Sequence, residues 1–139
     1  MGTRSLVGVM VGDKCRAVYV HWDGYLDGVG AGLQEYTTQA AVEALIAPGD
    51  RSSLDGPYYK DRGEVGVAPT VYDTFEEFLD AANGCGAEYY YIFKDGVWYC
   101  GDCYGRWGSD SDISGKLVPY ADALRAEQLK RAMEEEAPM

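Results

Sequence analysis

Tyr89-Tyr90-Tyr91-Ile92-Phe93-Lys94-Asp95-Gly96-Val97-Trp98-Tyr99-Cys100 decides the fold. Aromatic and β-branched residues, which suit a pleated, half-buried surface, stand on both sides of an Asp-Gly pair. Asp-Gly fits a tight turn whose central residues take positive φ. The stretch therefore predicts a hairpin: Tyr89 to Phe93, a Lys94-Asp95-Gly96 turn, and Val97 to Cys100.

A second hairpin lies near the start of the chain. Leu6 to Val11 is an apolar run, Gly12-Asp13-Lys14 breaks it, and Arg16 to Trp22 alternates with a period of two. That alternation places Val18, Val20 and Trp22 on one face, and Asp23-Gly24 ends the strand. Between the hairpins, Val29, Leu33 and Tyr36 are helically spaced. Thr37 or Thr38 can cap a further turn carrying Val42, Leu45 and Ile46, which Pro48-Gly49-Asp50 stops. Residues 50–70 read as loop, with a short strand near Val65-Gly66-Val67. Thr74-Phe75-Glu76-Glu77 is a capping box, followed by Phe75, Phe78, Leu79 and Ala82 on one helical face and the stop Asn83-Gly84.

After a polar connection over 104–116, Pro119 suits the first turn of a closing helix over about 119–136, whose Glu134-Glu135-Glu136 end should fray. The expected fold class is α+β. One domain over 1–139 holds an antiparallel sheet of about four strands, formed by two hairpins and packed with three to four helices.

The composition narrows the partners. Hydrophobic residues make up 47% of the 139, and 23 acidic against 12 basic residues give a net charge of −11. So acidic a chain repels phosphate backbones, so no direct nucleic-acid partner is expected. The acidity either confers solubility or imitates DNA to occupy a basic protein. No apolar run approaches the roughly 20 residues that cross a bilayer, so no membrane partner is expected. Met1 to Ser5 lacks a signal-peptide core, which points to the cytosol.

Cys100-Gly-Asp-Cys103 has the C-x-x-C spacing of a zinc or redox pair. The other cysteines, Cys15 and Cys85, form no second such pair, and the only histidine, His21, belongs to another motif. No metal ligands and no cofactor are therefore expected.

Three segments carry candidate chemistry. Gly24 to Gly32 is glycine-rich between a strand and a helix, where it either offers amides to an anion or lets the helix lie close to the sheet. His21-Trp22-Asp23-Gly24-Tyr25 gathers imidazole, indole, carboxylate and phenol, as a purine-like ligand requires. On a continuing strand His21 and Asp23 would share a face as an acid–base pair, but no nucleophile or metal set accompanies them, so no catalytic residues are assigned. Lys60 and Arg62, in Lys60-Asp-Arg-Gly-Glu64, can answer a phosphate, and Arg4 can join them.

At these residues the chain resembles a group of small bacteriophage and prophage proteins. The resemblance rests on Thr3-Arg4-Ser5 ahead of a strand, His21 to Tyr25, Gly28 and Gly32, the run from Leu45 to Leu54, and Arg62 to Glu64. It implies a phage protein in the host cytoplasm. The expected function is non-enzymatic evasion of host defence by a homo-oligomer that sequesters a nucleotide-like signal molecule through Arg4, His21, Trp22, Asp23, Tyr25, Lys60 and Arg62. The alternatives are an acidic inhibitor of a host nucleic-acid-binding defence protein and, third, a small nucleotide hydrolase using Asp23 and His21.

Overall fold

The turn at 95–96 forms for the reason its chemistry gives. In the computed structural model, Asp95 and Gly96 have φ of 51° and 81°, the paired left-handed residues of a two-residue hairpin turn. The structure describes residues 3–50, 68–84, 87–102 and 117–135. The hairpin joins β4 (Tyr89–Lys94) to β5 (Val97–Asp102). The first hairpin joins β1 (Ser5–Val11) to β2 (Lys14–Val20), in register from Ser5↔Val20 to Val11↔Lys14.

The two hairpins meet through their first strands. β1 and β4 lie side by side and parallel, from Ser5↔Tyr89 to Val9↔Phe93. Two short edges complete the sheet: β3 (Thr70–Tyr72) against β2, and β6 (Val118–Pro119) against β5. The fold is α+β, but the expectation of about four antiparallel strands is corrected to a six-stranded mixed sheet in the order β3-β2-β1-β4-β5-β6. A parallel pair needs a long crossover, and the intervening helices supply it. The strand expected near Val65-Gly66-Val67 lies outside the described residues.

The helices start close to where their caps place them. A π-helical turn over Leu26–Gly30 runs into α1 (Ala31–Leu33), beginning three residues ahead of Val29, the first residue of the helical spacing. Thr38 caps α2 (Gln39–Ile46) by accepting from the Ala41 amide at 3.1 Å. Thr74 caps α3 (Phe75–Gly84) by accepting from the Glu77 amide at 3.2 Å. The Glu77 carboxylate reaches one residue further back than in a strict capping box, accepting from the Asp73 amide at 3.0 Å. Pro119, which lacks an N–H, ends the edge strand β6 immediately before α4 (Tyr120–Glu135).

Both faces of the sheet are covered. On one, Val7, Val9, Val18, Val20, Tyr91, Phe93 and Trp98 pack under Leu26, Val29, Leu33, Val42, Ile46, Tyr120 and Ala123. On the other, Leu6, Cys15, Ala17, Tyr90 and Ile92 pack under Phe78 and Ala82 of α3. Among the described residues no helix is long and apolar enough to cross a membrane.

Replacing the α3 cap, Thr74→Ala, should lower stability by about 1 kcal/mol, the usual loss at an N-cap. Urea denaturation would show this as a lower midpoint at constant slope. An unchanged midpoint would mean that the hydroxyl does not secure the helix end.

Candidate functional site

β2 ends at Val20, and the chain then turns sharply. Asp23 takes φ of 60°, a left-handed conformation that Asp tolerates better than most residues. Its carbonyl accepts from the Val29 amide at 2.7 Å. The alternation that put Trp22 with Val18 and Val20 on one face therefore stops short of it. Trp22 is 44% exposed and Tyr25 39% exposed. The expectation that Trp22 shares a face with Val18 and Val20 is thus corrected: those two are buried, and the indole stands at the surface. His21 lies between, its Nδ1 2.7 Å from the Tyr19 hydroxyl and its ring edge-on to Trp22 at 4.6 Å between centroids.

The turn is fixed from below. Tyr91, fully buried in β4, donates its hydroxyl to the Gly24 carbonyl at 2.6 Å. Tyr120, at the start of α4, donates to the Leu26 carbonyl at 2.9 Å. The Gly24 amide donates to the Thr3 carbonyl at 2.7 Å, and a Cβ on Gly24 would stand 2.7 Å from that same oxygen and 3.0 Å from the Arg4 carbonyl carbon. The Thr3-Arg4-Ser5 and His21–Tyr25 motifs, remote in sequence, are therefore in direct backbone contact.

The glycine-rich segment resolves toward packing. The Gly28 and Gly30 amides donate to the Tyr25 carbonyl at 3.0 and 3.3 Å, and the Val29 amide is taken by Asp23. These three amides are committed within the turn and do not present a cradle to an anion. Gly30 lies against aromatic rings, where a Cβ would meet Tyr120 at 2.7 Å and Tyr91 at 3.1 Å.

Charges around the turn are mixed. The Tyr25 hydroxyl donates to Asp23 Oδ1 at 3.3 Å, and Asp23 is the main cause raising the Tyr25 pKa above its ordinary value. Asp27 pairs with Arg131 at 2.9 Å, and Arg131 also reaches Glu127 at 3.3 Å. Arg4 is exposed, and its guanidinium has no ion-pair partner among the described residues, whereas Lys14 is paired with Asp73 and Arg125 with Asp122. The structure thus brings Arg4, His21, Trp22, Asp23 and Tyr25 to one end of the sheet. Lys60 and Arg62 lie outside the described residues. Because β2 stops at Val20, strand alternation no longer makes His21 and Asp23 an acid–base pair.

Sequence reasoning missed the anchoring hydroxyls of Tyr91 and Tyr120, which read only as strand and helix residues. It also missed Asp50 as anything beyond a helix stop. Asp50 Oδ1 accepts from the Tyr19 amide at 2.8 Å, and burial is the main cause raising its carboxyl pKa above the ordinary 3.8. The one signal available was a carboxylate placed directly after the Pro48-Gly49 stop.

Cys100 is a core residue of β5, and burial pushes its thiol pKa up to about 12, which suppresses the reactive thiolate. Cys103 lies outside the described residues. Among the described residues no group of three or more His, Cys, Asp or Glu side chains is placed to hold a metal ion. Comparison with protein-family models, curated proteins and solved structures finds no significant match to this chain.

Tyr91→Phe keeps the ring and leaves the Gly24 carbonyl without its donor, so stability should fall by about 1–3 kcal/mol. A loss much below this in chemical denaturation would mean that the bond does not secure the turn.

Asp50 allows a test with a definite sign. Burial raises its folded pKa above the unfolded value, so the folded state binds the proton more tightly. Ionised Asp50 thus opposes folding above its folded pKa, and that opposition fades as pH falls toward 3.8. Asp50→Asn keeps an oxygen for the Tyr19 amide and removes the charge. It should stabilise the protein at neutral pH, with the gain shrinking on acidification in parallel urea melts. A gain that stays constant with pH would exclude ionisation as its cause.

Proposed function

We propose that this protein is a non-enzymatic bacteriophage domain that counters host antiviral defence by binding and sequestering a nucleotide-like signal molecule, acting as a homo-oligomer in the host cytoplasm. The observation that carries this reading is Arg4, a guanidinium with no ion-pair partner among the described residues, whose backbone lies against the turn bearing exposed Trp22 and Tyr25. A nucleotide needs a flat apolar partner for its base and a cation for its phosphate. This end of the sheet offers both. The buried tyrosine hydroxyls hold the turn before any ligand arrives, which reduces the ordering cost of binding.

A second reading, an acidic inhibitor of a basic host defence protein, draws on the same turn. Asp23 and Asp27 flank the exposed aromatics, the nearby amides are committed, and the chain carries a net charge of −11. Such a surface suits the Lys and Arg side chains of a basic protein.

Calorimetric titration with cyclic nucleotides and ADP-ribose-type nucleotides separates the two. At least one should bind more tightly than about 100 μM, equivalent to about −5.5 kcal/mol. Arg4→Ala and Trp22→Ala should each weaken that binding about tenfold or more, since stacking on an aromatic is worth about 1–3 kcal/mol per base. Both residues are exposed, so neither change should unfold the chain. Lys94→Ala, at the other end of β4 and about 16 Å away, should have no effect. If no nucleotide reaches the threshold, sequestration fails and the acidic-inhibitor reading replaces it.

A further inference from the structure

A pocket of about 410 Å³ opens on the α3 side of the sheet, lined by residues that include Leu6, Tyr19, Asp50, Thr70, Tyr72 and Ala81. Its volume lies within the roughly 300–1,000 Å³ of small-molecule sites. Two aromatic walls are braced from outside. The Tyr19 hydroxyl is 2.7 Å from His21 Nδ1, and the Tyr72 ring packs edge-on to Phe78 at 6.2 Å between centroids. The polar wall is Asp50. Among the described residues it accepts one hydrogen bond, from the Tyr19 amide through Oδ1, so Oδ2 has an acceptor position left.

The pocket adjoins the Trp22–Tyr25 turn along two paths. Tyr19, His21 and Trp22 form a continuous series of ring contacts, with centroids 5.8 Å and 4.6 Å apart. Arg4 stands two residues before Leu6, and its carbonyl continues the β1–β4 ladder by accepting from the Glu88 amide at 2.8 Å. Arg4 directly precedes β1, and its backbone touches Gly24.

We infer that the pocket is a second heterocycle subsite, taking an adenine-type ring whose exocyclic amino group donates to Asp50, and that the ligand is dinucleotide-like, with its phosphates at Arg4 and its other ring at Trp22 and Tyr25. This rests on the nucleotide-binding reading above. A carboxylate inside a tyrosine-walled pocket selects a ring edge that donates. Guanine presents two adjacent donors and would engage both carboxylate oxygens. Oδ1 already accepts from the Tyr19 amide and a second donor there would have to share it, whereas Oδ2 accepts from no described residue, so one amino donor on Oδ2, as adenine N6 offers, is the simpler match.

Adenosine is the minimal probe, because it carries no phosphate. Added to ¹⁵N-labelled protein, it should shift the amides of Tyr19, Asp50, Tyr72 and Ala81. Purine riboside, which lacks the amino group, should bind about tenfold or more weakly, and Asp50→Asn should abolish the difference between the two. Diadenosine diphosphate should bind at least about tenfold tighter than adenosine in calorimetry, with Arg4→Ala removing the gain. Absence of shifts at the solubility limit of adenosine, shifts confined to Trp22–Tyr25, or equal affinity for the two nucleosides would overturn the subsite. Dinucleotide binding that needs Arg4 and Trp22 but is indifferent to Asp50→Asn would remove the pocket and leave the nucleotide reading standing. Adenosine binding in the pocket with no gain for diadenosine diphosphate would overturn the dinucleotide-like ligand, while the sequestration reading would still stand or fall by the nucleotide titration above.

Discussion

Tyr91 lies fully buried in the middle of β4, and its hydroxyl donates to the Gly24 carbonyl at 2.6 Å. A phenol with no access to water needs an acceptor, and leaving a buried polar group unpaired costs on the order of 1–3 kcal/mol. The segment after β2 supplies that acceptor, and the turn is thereby tied to the sheet. Tyr120 repeats the arrangement from α4, reaching the Leu26 carbonyl at 2.9 Å. The exposed Arg131–Asp27 pair adds little, since such pairs contribute roughly 0–1 kcal/mol. The position of the Trp22–Tyr25 surface is thus a consequence of the core, set by two hydroxyls that meet the Gly24 and Leu26 carbonyls, and by close packing that leaves no room for a side chain at Gly24 or Gly30.

Much of the fold was legible in local chemistry. The Asp95-Gly96 turn, the Thr38 and Thr74 caps and the Pro48-Gly49 stop are each decided by a few neighbouring residues. The parallel centre was also written in the sequence, though in a different signal. β1 and β4 are nearly unbroken apolar runs, Leu6 to Val11 and Tyr89 to Phe93, without the alternation of a strand that has one wet face. Such runs mark strands covered on both faces, as a parallel pair with crossover helices is. The edge strands were not legible. β3 has three residues and β6 has two, too few to show a period, and Pro119 in β6 equally suits a helix start.

The candidate site was legible as residue types and illegible as geometry. Arg4 and the His21–Tyr25 motif could be singled out because their chemistry is unusual on so acidic a chain. Their contact through Gly24 depends on long-range packing that no local pattern records. The same holds for Trp22, which period-two alternation placed with Val18 and Val20 until the left-handed Asp23 ended the extended chain. The glycine amides illustrate the converse. A glycine-rich strand-to-helix turn suggests an anion cradle, but whether its N–H groups face outward depends on which carbonyls fold back to meet them. Asp50 was hidden because a carboxylate after a helix stop is ordinarily solvent-facing, and its contact with Tyr19 spans 31 residues.

Charge distinguishes the two functional readings more sharply than shape does. At physiological ionic strength the Debye length is about 8 Å, so distant acids on this chain are largely screened from a ligand seated at Arg4. The nearby acids are partly answered: Asp27 by Arg131, and Asp23 by the Tyr25 hydroxyl. A bound phosphate at Arg4 therefore meets a local field less hostile than a net charge of −11 implies. Its approach still crosses the field of the whole protein, which repels anions and attracts cations. An anionic signal molecule would thus associate faster as salt is raised, because screening weakens the long-range repulsion. A basic protein partner would associate more slowly at every increment of salt, because the same long-range field steers it inward. The sign of the salt dependence of the association rate follows from charge alone, so it separates a sequestered nucleotide from a mimicked nucleic acid even where both would occupy the Trp22–Tyr25 turn.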